Sequence, residues 1–249
     1  MKPYYSEGGI TIYHGDCREV LPSITEPVDV VVADPPYGET SLTWDVPVRG
    51  FADLLPGRQW WCFGSLRMFM ACAIEIAATD WRHAQDIVYE KHNGSSFHAD
   101  RFKRVHELAA HFYRGAWADL YRDPPRTNDA TARTTRRKHR PAHTGGIAES
   151  TYTSEDGGPR LMRSVIPVRS CHGYAEHPTQ KPLGILRPLI QFSCPPGGTA
   201  LDPFTGSGST LVAAKEMGRR AVGIEINERF CEVAANRLAQ GVLPIEATL

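Results

Sequence analysis

Asp34-Pro35-Pro36-Tyr37 closes an apolar, β-branched run at residues 28–33. Consecutive prolines remove two backbone donors and stiffen the turn, while their carbonyls stay free to accept hydrogen bonds. A carboxylate, rigid carbonyls and an aromatic face together suit a flat ring that carries an amino group. Tyr37 can stack on such a ring, and Asp34 with the Pro35 carbonyl can accept from its NH2. The same four residues can also make an ordinary turn. A second constellation is LDPFTGSGST at 201–210. A strand ending in Asp202 meets a glycine loop, and a helix opens at about Ser209. Gly206 and Gly208 allow positive φ and close backbone approach to a ligand. Glu225 follows at the end of the next strand, where an acid can accept hydrogen bonds from both hydroxyls of a ribose. The unit reads as nucleoside-binding. The loop is G-x-G-x-x-L, so a dinucleotide fingerprint is incomplete, and a glycine loop alone also serves as a tight strand–helix connection.

The elements that must hold these residues alternate. Strands are expected at 28–33, at 60–63 (WWCF), at 86–91 (DIVYEK), at 199–202 (TALD) and at 221–226 (AVGIEI). Ser65 should cap a helix whose apolar face is Leu66, Phe69, Met70, Ala73, Ile74 and Ala77. A helix over 211–217 should stop at Gly218, and Asn227 should cap another running to about Gln240. Pro188, inside the apolar stretch 183–193, should kink that helix or delay its start. Such alternation implies an α/β fold, a mostly parallel sheet covered by helices on both faces.

The chain has 249 residues with 28 Lys+Arg and 28 Asp+Glu. At about 150 residues per domain this is one large domain, or one with a sizeable insertion. The 22 Gly and 19 Pro carry no repeat, which excludes collagen-like and fully disordered classes. No apolar run approaches the ~18 residues of a membrane span. The first residues carry no apolar stretch of signal-peptide type, so a cytoplasmic protein without a membrane is expected. The six Cys form no C-x-x-C pair and sit among apolar residues, as reduced cytosolic cysteines do; no metal site is expected.

The neutral total hides an asymmetry. Between 101 and 140, eleven basic residues stand against four acids. The stretch is either a solvated loop or a phosphate-binding element, because Lys and Arg on phosphates release counterions and bind without regard to sequence. From 114 to 162 clean periodicity is lost, which marks an insertion with a job of its own. His106-Glu107 could hold a metal or move protons. Arg101 and Arg104 precede the pair at helical spacing, so a salt bridge from Glu107 to a nearby Arg is the plainer expectation.

Taken together, DPPY and DPFTGSGST resemble the S-adenosylmethionine-dependent amino-methyltransferases of DNA, the adenine-N6 and cytosine-N4 family. DPPY looks like the catalytic tetrapeptide of that family and DPFTGSGST like its cofactor loop. HPTQKP (177–182) is similar to the segment before that loop, YHGDC (13–17) to the strand end whose acid meets the cofactor adenine, and RFKRVHE (101–107) to an R-x-x-x-x-H-E stretch. The resemblance covers about residues 10–113 and 163–240. Catalytic DPPY precedes the cofactor loop, the circularly permuted order called the β group, in which the segment between the halves recognises the target sequence. It implies a Rossmann-like methyltransferase fold with a catalytic half at 1–113, a basic target-recognition insertion at 114–162 and a cofactor-binding half at 163–249.

The resemblance also implies roles. Asp34, Pro35, Pro36 and Tyr37 would be catalytic. S-adenosylmethionine would meet Asp16 at its adenine amine, Glu225 at its ribose, and Phe204, Thr205, Gly206 and Gly208 along its methionine side; Cys17, Asp202, Ser207 and Ile226 would also bind it. Thr179 and Lys181 would hold its carboxylate. Arg101, Arg104, Arg126, Arg133, Arg136, Arg137, Lys138 and Arg140 would contact double-stranded DNA. Asp rather than Ser at the head of the tetrapeptide leans to adenine over cytosine. A homodimer and a cognate restriction endonuclease are partners the family admits and the sequence does not decide. A nucleotide-dependent oxidoreductase is disfavoured by the missing third glycine, and a non-catalytic DNA-binding relic by the intact Asp34, Tyr37 and Glu225.

Overall fold

Val30-Val31-Val32-Ala33 is wholly buried, because a strand covered on both faces has no polar side. It is β3 (Val30–Ala33) of a nine-stranded sheet in the computed structural model, which describes residues 1–95, 99–137, 150–169 and 180–240. The other strands are β1 (Tyr5–Glu7), β2 (Ile10–His14), β4 (Gln59–Gly64), β5 (Arg82–Ser95), β6 (Arg104–Tyr113), and, after four short strands described below, β11 (Val165–Val168), β12 (Thr199–Asp202) and β13 (Arg220–Glu225). Their order is β1-β2-β13-β12-β3-β4-β6-β5-β11. From β2 to β4 the ladder is parallel throughout; β6 runs antiparallel to β4 and β5, and β1 to β2.

Alternation along the central strands divides the core. Val31, Ala33, Trp60, Cys62, Leu201, Val222 and Ile224 form one cluster with Cys17 and Val20 of α1 (Cys17–Val20) and Met68 of α2 (Leu66–Ala77). Residues of opposite phase face other helices. Trp61 donates its indole N–H to Ser193 in α3 (Leu183–Ser193) at 2.8 Å, and Gly223 lies against Leu211 of α4 (Ser209–Glu216). The last helix among the described residues, α5 (Glu228–Ala239), is capped by Asn227, whose side chain accepts from the Arg229 N–H. Helices therefore cover both faces of the mostly parallel sheet.

Three expectations need correction. Ser65 caps α2, accepting from the Met68 N–H, but the buried edge of the helix is Met68 with Phe69, Cys72 and Ile76. Leu66, Met70 and Ile74 are 65%, 72% and 87% exposed. Apolar residues recur on both edges of this helix, and periodicity alone cannot say which edge meets the sheet. Pro188 does not delay α3, which starts at Leu183 and buries Ile185, Leu186, Leu189 and Ile190 around it; burial of that face outweighs the one backbone bond a proline removes. Residues 104–113 form strand β6 rather than a helix. There Arg104 pairs with Glu39 at 3.0 Å, and Glu107 pairs with lysines instead of an arginine.

Residues 124–163 fold as a compact unit of their own, and 1–123 with 164–249 form the other. In the smaller unit β7 (Arg126–Thr127) pairs with β10 (Arg160–Leu161), and β8 (Arg133–Arg137) with β9 (Ser150–Ser154), both antiparallel. The Met162 N–H donates to the Pro125 carbonyl at 2.9 Å, so the chain enters and leaves this unit side by side. Residues 114–123, counted in the insertion by sequence, belong to the larger unit: Arg114 donates to the carbonyls of Leu55 and Gly57.

Candidate active site

The parallel strands β2, β13, β12 and β3 end along one edge of the sheet, and the chain turns there to expose carbonyls and loop side chains, where open α/β sheets bind ligands. The turns after them carry Asp16, Glu225, Asp202 and Asp34. All four line a cavity of about 540 Å³, together with Cys17, Pro36, Lys181, Phe204, Thr205, Gly206, Ser207 and Ile226. Sequence-distant motifs thus converge on one hollow.

At its glycine-loop end, the Glu225 carboxylate is 9% exposed and both its oxygens are held by backbone: Gly206 N–H donates to Oε2 at 2.7 Å and Asn227 N–H to Oε1 at 2.8 Å. Burial raises its pKa, and those N–H groups oppose the rise. Asp202 is 4% exposed and accepts from the Phe204 N–H at 3.0 Å. Burial, reinforced by the charges of Asp34 and Glu225, lifts its carboxyl to about 7. Gly208 sits at the start of α4 with φ +81°, and a Cβ there would stand 2.9 Å from the Ala234 Cβ of α5, so only glycine lets these helices approach. Asp16 caps α1 by accepting from the Arg18 N–H at 2.8 Å; the Arg18 guanidinium on the same carboxylate lowers its pKa. Cys17 is buried and its thiol is pushed up to about 12 by burial, which makes it an inert wall of the cavity. Ile226 is 68% exposed at the rim.

The other end is built on DPPY. Pro35 is buried; Asp34, Pro36 and Tyr37 are half-buried. The Tyr37 hydroxyl donates to Asp34 Oδ1 at 2.8 Å, and the Lys181 ammonium donates to Asp34 Oδ2 at 2.6 Å. Lys181, expected at a cofactor carboxylate, lines the cavity with its ammonium on Asp34 and, at 3.1 Å, on Glu107. It also lies over the Phe63 ring at 5.1 Å and the Tyr37 ring at 5.8 Å. Burial raises the pKa of Asp34, and Lys181 opposes it. Gln180 lies by the glycine loop, 3.3 Å from Ser207 Oγ. Thr179 is outside the described residues.

Two residues that sequence reasoning passed over hold this end together. Asp45, 8% exposed, accepts from the N–H groups of Gly38, Glu39 and Thr40 at 2.8, 3.0 and 2.7 Å, and so ties down the loop that leaves Tyr37. Gly38 has φ +70°, and a Cβ there would reach Pro47 at 2.7 Å. Nothing in the sequence marks a carboxylate seven residues on as the clamp for this loop. Lys91 is the second, paired with Glu107 from β5.

The described basic residues are divided between the two units. Arg101 is exposed and paired with Asp100 at 2.9 Å. Arg104 reaches Glu39 behind the DPPY loop. Arg126, Arg133 and Arg136 are exposed on the smaller unit. In the β8–β9 ribbon Arg133 and Tyr152 share one face by register, and Arg136 lies on the other; the Arg137 side chain lies outside the described residues. Lys138 and Arg140 lie outside the described residues.

Comparison with known proteins gives a consistent result. A family model described as DNA methylase, of the N6/N4 type, matches residues 28–236. The putative methylase YubD of Escherichia coli (strain K12) is 41% identical over 101 residues, 39% of this chain and 44% of that protein. The Type II methyltransferase M2.DpnII of Streptococcus pneumoniae is 25% identical over 279 residues, covering 95% of this chain and 92% of that one. Among solved structures, the M1.HpyAVI–SAM complex superposes with a TM-score of 0.61 at 24% identity, covering 92% and 99% of the two chains. The cytosine-N4-specific PvuII DNA methyltransferase does so with 0.67 at 14%, covering 97% and 90%. At these identities the superpositions speak to fold.

Proposed function

The chain belongs to the N6/N4 DNA methylase family, and on that premise we propose that it is a site-specific methyltransferase that moves a methyl group from S-adenosylmethionine to the N6 amine of an adenine flipped out of duplex DNA. One observation carries the reading. Asp34 and Pro36 of the tetrapeptide share a single cavity with Asp202, Gly206 and Glu225 of the nucleoside-binding unit.

The residues present fit the cofactor. The cavity, about 540 Å³, has the size of a small-molecule site. Glu225 is a buried acid whose orientation two backbone N–H groups fix, with lone pairs left for ribose hydroxyls. Asp16 with Cys17 would hold the adenine, and Phe204 to Gly208 the methionine side. When bound, S-adenosylmethionine supplies an electrophilic methyl group on a sulfonium leaving group.

The chain does the rest. An exocyclic amine is a poor nucleophile because its lone pair is spread into the ring. Asp34 and the Pro35 carbonyl, accepting from its two N–H groups, localise that pair at nitrogen. Most of the rate comes from this positioning. Asp34 need not be a strong base, since the amine becomes acidic only as it is alkylated. Flipping the base out of the stack costs a few kcal/mol; stacking on Tyr37 returns about 1–3 kcal/mol of it. Asp at position 34 favours adenine over cytosine by likeness to the family. The order of motifs supports the permuted β-group arrangement, and the separate unit at 124–163 supports assigning target recognition to the insertion. The name Type II methyltransferase carried by relatives supports a cytoplasmic restriction–modification setting with a cognate endonuclease.

The test is to incubate the protein with S-adenosylmethionine and unmethylated plasmid DNA, hydrolyse the DNA and measure its nucleosides by mass spectrometry. N6-methyladenine is expected. N4-methylcytosine would retain the mechanism and overturn the choice of base; no methylated base, with cofactor still bound, would overturn DNA as the substrate.

A further inference from the structure

The methyl-transfer reading uses Asp34 but leaves three linked charges beside it, two of them largely buried, without a duty. Glu107 lies on β6, Lys91 on β5 and Lys181 ahead of α3. The Lys181 side chain is 10% exposed and that of Glu107 13%. Lys181 bridges the two carboxylates, at 2.6 Å from Asp34 Oδ2 and 3.1 Å from Glu107 Oε2, while Lys91 holds the other oxygen of Glu107. The register explains the last pair: Glu107 stands opposite Tyr89, and Lys91 lies two residues along β5 on the same face. We propose that Lys91, Glu107 and Lys181 form a positioning chain that fixes the orientation and negative charge of Asp34, so that Lys181 serves the target amine through Asp34 rather than the cofactor carboxylate. This rests on the methyl-transfer reading for its purpose, though not for its geometry.

A buried ion cluster is a poor source of stability, because desolvation consumes the Coulomb gain. Its use lies in what it does to Asp34. A protonated Asp34 would present a donor to an amine that needs two acceptors. Lys181 keeps the carboxylate ionised against burial. Were Lys181 bound to Asp34 alone, it would also drain the carboxylate of acceptor strength. Glu107 takes a share of the ammonium and, with burial working against it, is still held at about 2 by Lys181 and Lys91. The other groups around Asp34 are the Tyr37 hydroxyl, which donates to it, the Cys62 thiol on β4, and Asp202 at the end of β12. Neither the thiol nor a carboxyl lifted to about 7 can supply the positive charge that Lys181 supplies.

The chain has an electrical signature that a merely structural role lacks. Removing Lys181 takes away a cation and must raise the pKa of Asp34. Removing the charge of Glu107 takes away an anion and must lower it. The experiment is a pH titration of the Asp34 side-chain carboxyl by carbon-13 NMR in the cofactor-free protein. The resonance is assigned by its loss in Asp34→Asn, and the variants are Lys181→Met, Lys181→Arg and Glu107→Gln. Single-turnover methyl transfer to DNA is measured across pH in parallel. Lys181→Met should move the Asp34 titration and the acid limb of the rate up by about one pH unit or more, so the rate on that limb falls about tenfold. Glu107→Gln should move both down, and Lys181→Arg should return them toward the wild-type values. Shifts in the same direction, or no shift, overturn the proposal; should Lys181→Met fail to fold, Glu107→Gln and Lys181→Arg decide it alone. If the wild type transfers no methyl group while the Asp34 titration moves as expected, the methyl-transfer reading fails and the positioning chain stands.

Discussion

Asp34 is asked to be an acceptor in a place that burial makes hostile to charge. Its replacement by alanine removes the acceptor without touching the glycine loop or Glu225. Methyl transfer by Asp34→Ala should therefore fall at least about 100-fold, the scale of one lost proton-handling group, while calorimetry still finds S-adenosylmethionine bound. Retained activity would remove Asp34 from the mechanism. Asp202 belongs to the same scale with the opposite sign. Its folded pKa of about 7 lies above the ordinary carboxylate value, so the folded state binds the extra proton between about 4 and 7. Its contribution to stability is present at low pH and is lost as pH rises through that window. Asp202→Asn, neutral throughout, should melt above the wild type at pH 8 by several degrees, and the difference should close toward pH 4. A constant difference would show that Asp202 is not carrying the proton.

At the scale of elements, α2 shows how a helix can be legible in existence and illegible in orientation. Ser65 and a run of apolar residues mark its start and extent, and the structure forms it from Leu66 to Ala77. Which edge packs is decided by Trp60, Cys62 and Ala110, which meet Met68 in the same cluster. Those residues are distant in sequence, so no pattern within the helix could contain the answer. The consequence is checkable by thermal melting. Ile74→Glu should leave stability within about 0.5 kcal/mol, as exposed substitutions do. Met68→Ala should cost about 2–3 kcal/mol, as a buried truncation does. The reverse result would restore the face that periodicity alone suggests. Strand β6 follows the same logic. Arg104, three residues before Glu107, looks helical in one dimension, but a strand between β4 and β5 satisfies the backbone on both sides and buries Ala109 and Ala110.

For the whole molecule, the compact unit at 124–163 begins and ends at adjacent backbone, joined by the Met162–Pro125 hydrogen bond. A short glycine–serine link between Asp123 and Ser164 can therefore replace it without pulling the larger unit apart. The shortened protein should bind S-adenosylmethionine with an affinity within about threefold of the full chain and lose sequence-selective methylation. If selectivity survives, the insertion is not the reader. Much was already determined along the chain. The Val-rich strand, the prolines, the glycine loop and the acid ending the next strand are local signals, because strand burial, turn chemistry and helix caps depend on near neighbours. With the two motifs came the family and the expected placement of Asp34, Glu225 and Asp202. Only the tertiary structure decided which charges surround Asp34, that Asp45 clamps the loop after Tyr37, and that Lys181 faces Glu107 across 74 residues of sequence. Pairing of charges in a core is set by strand order and register, and those depend on contacts between segments that no local pattern records.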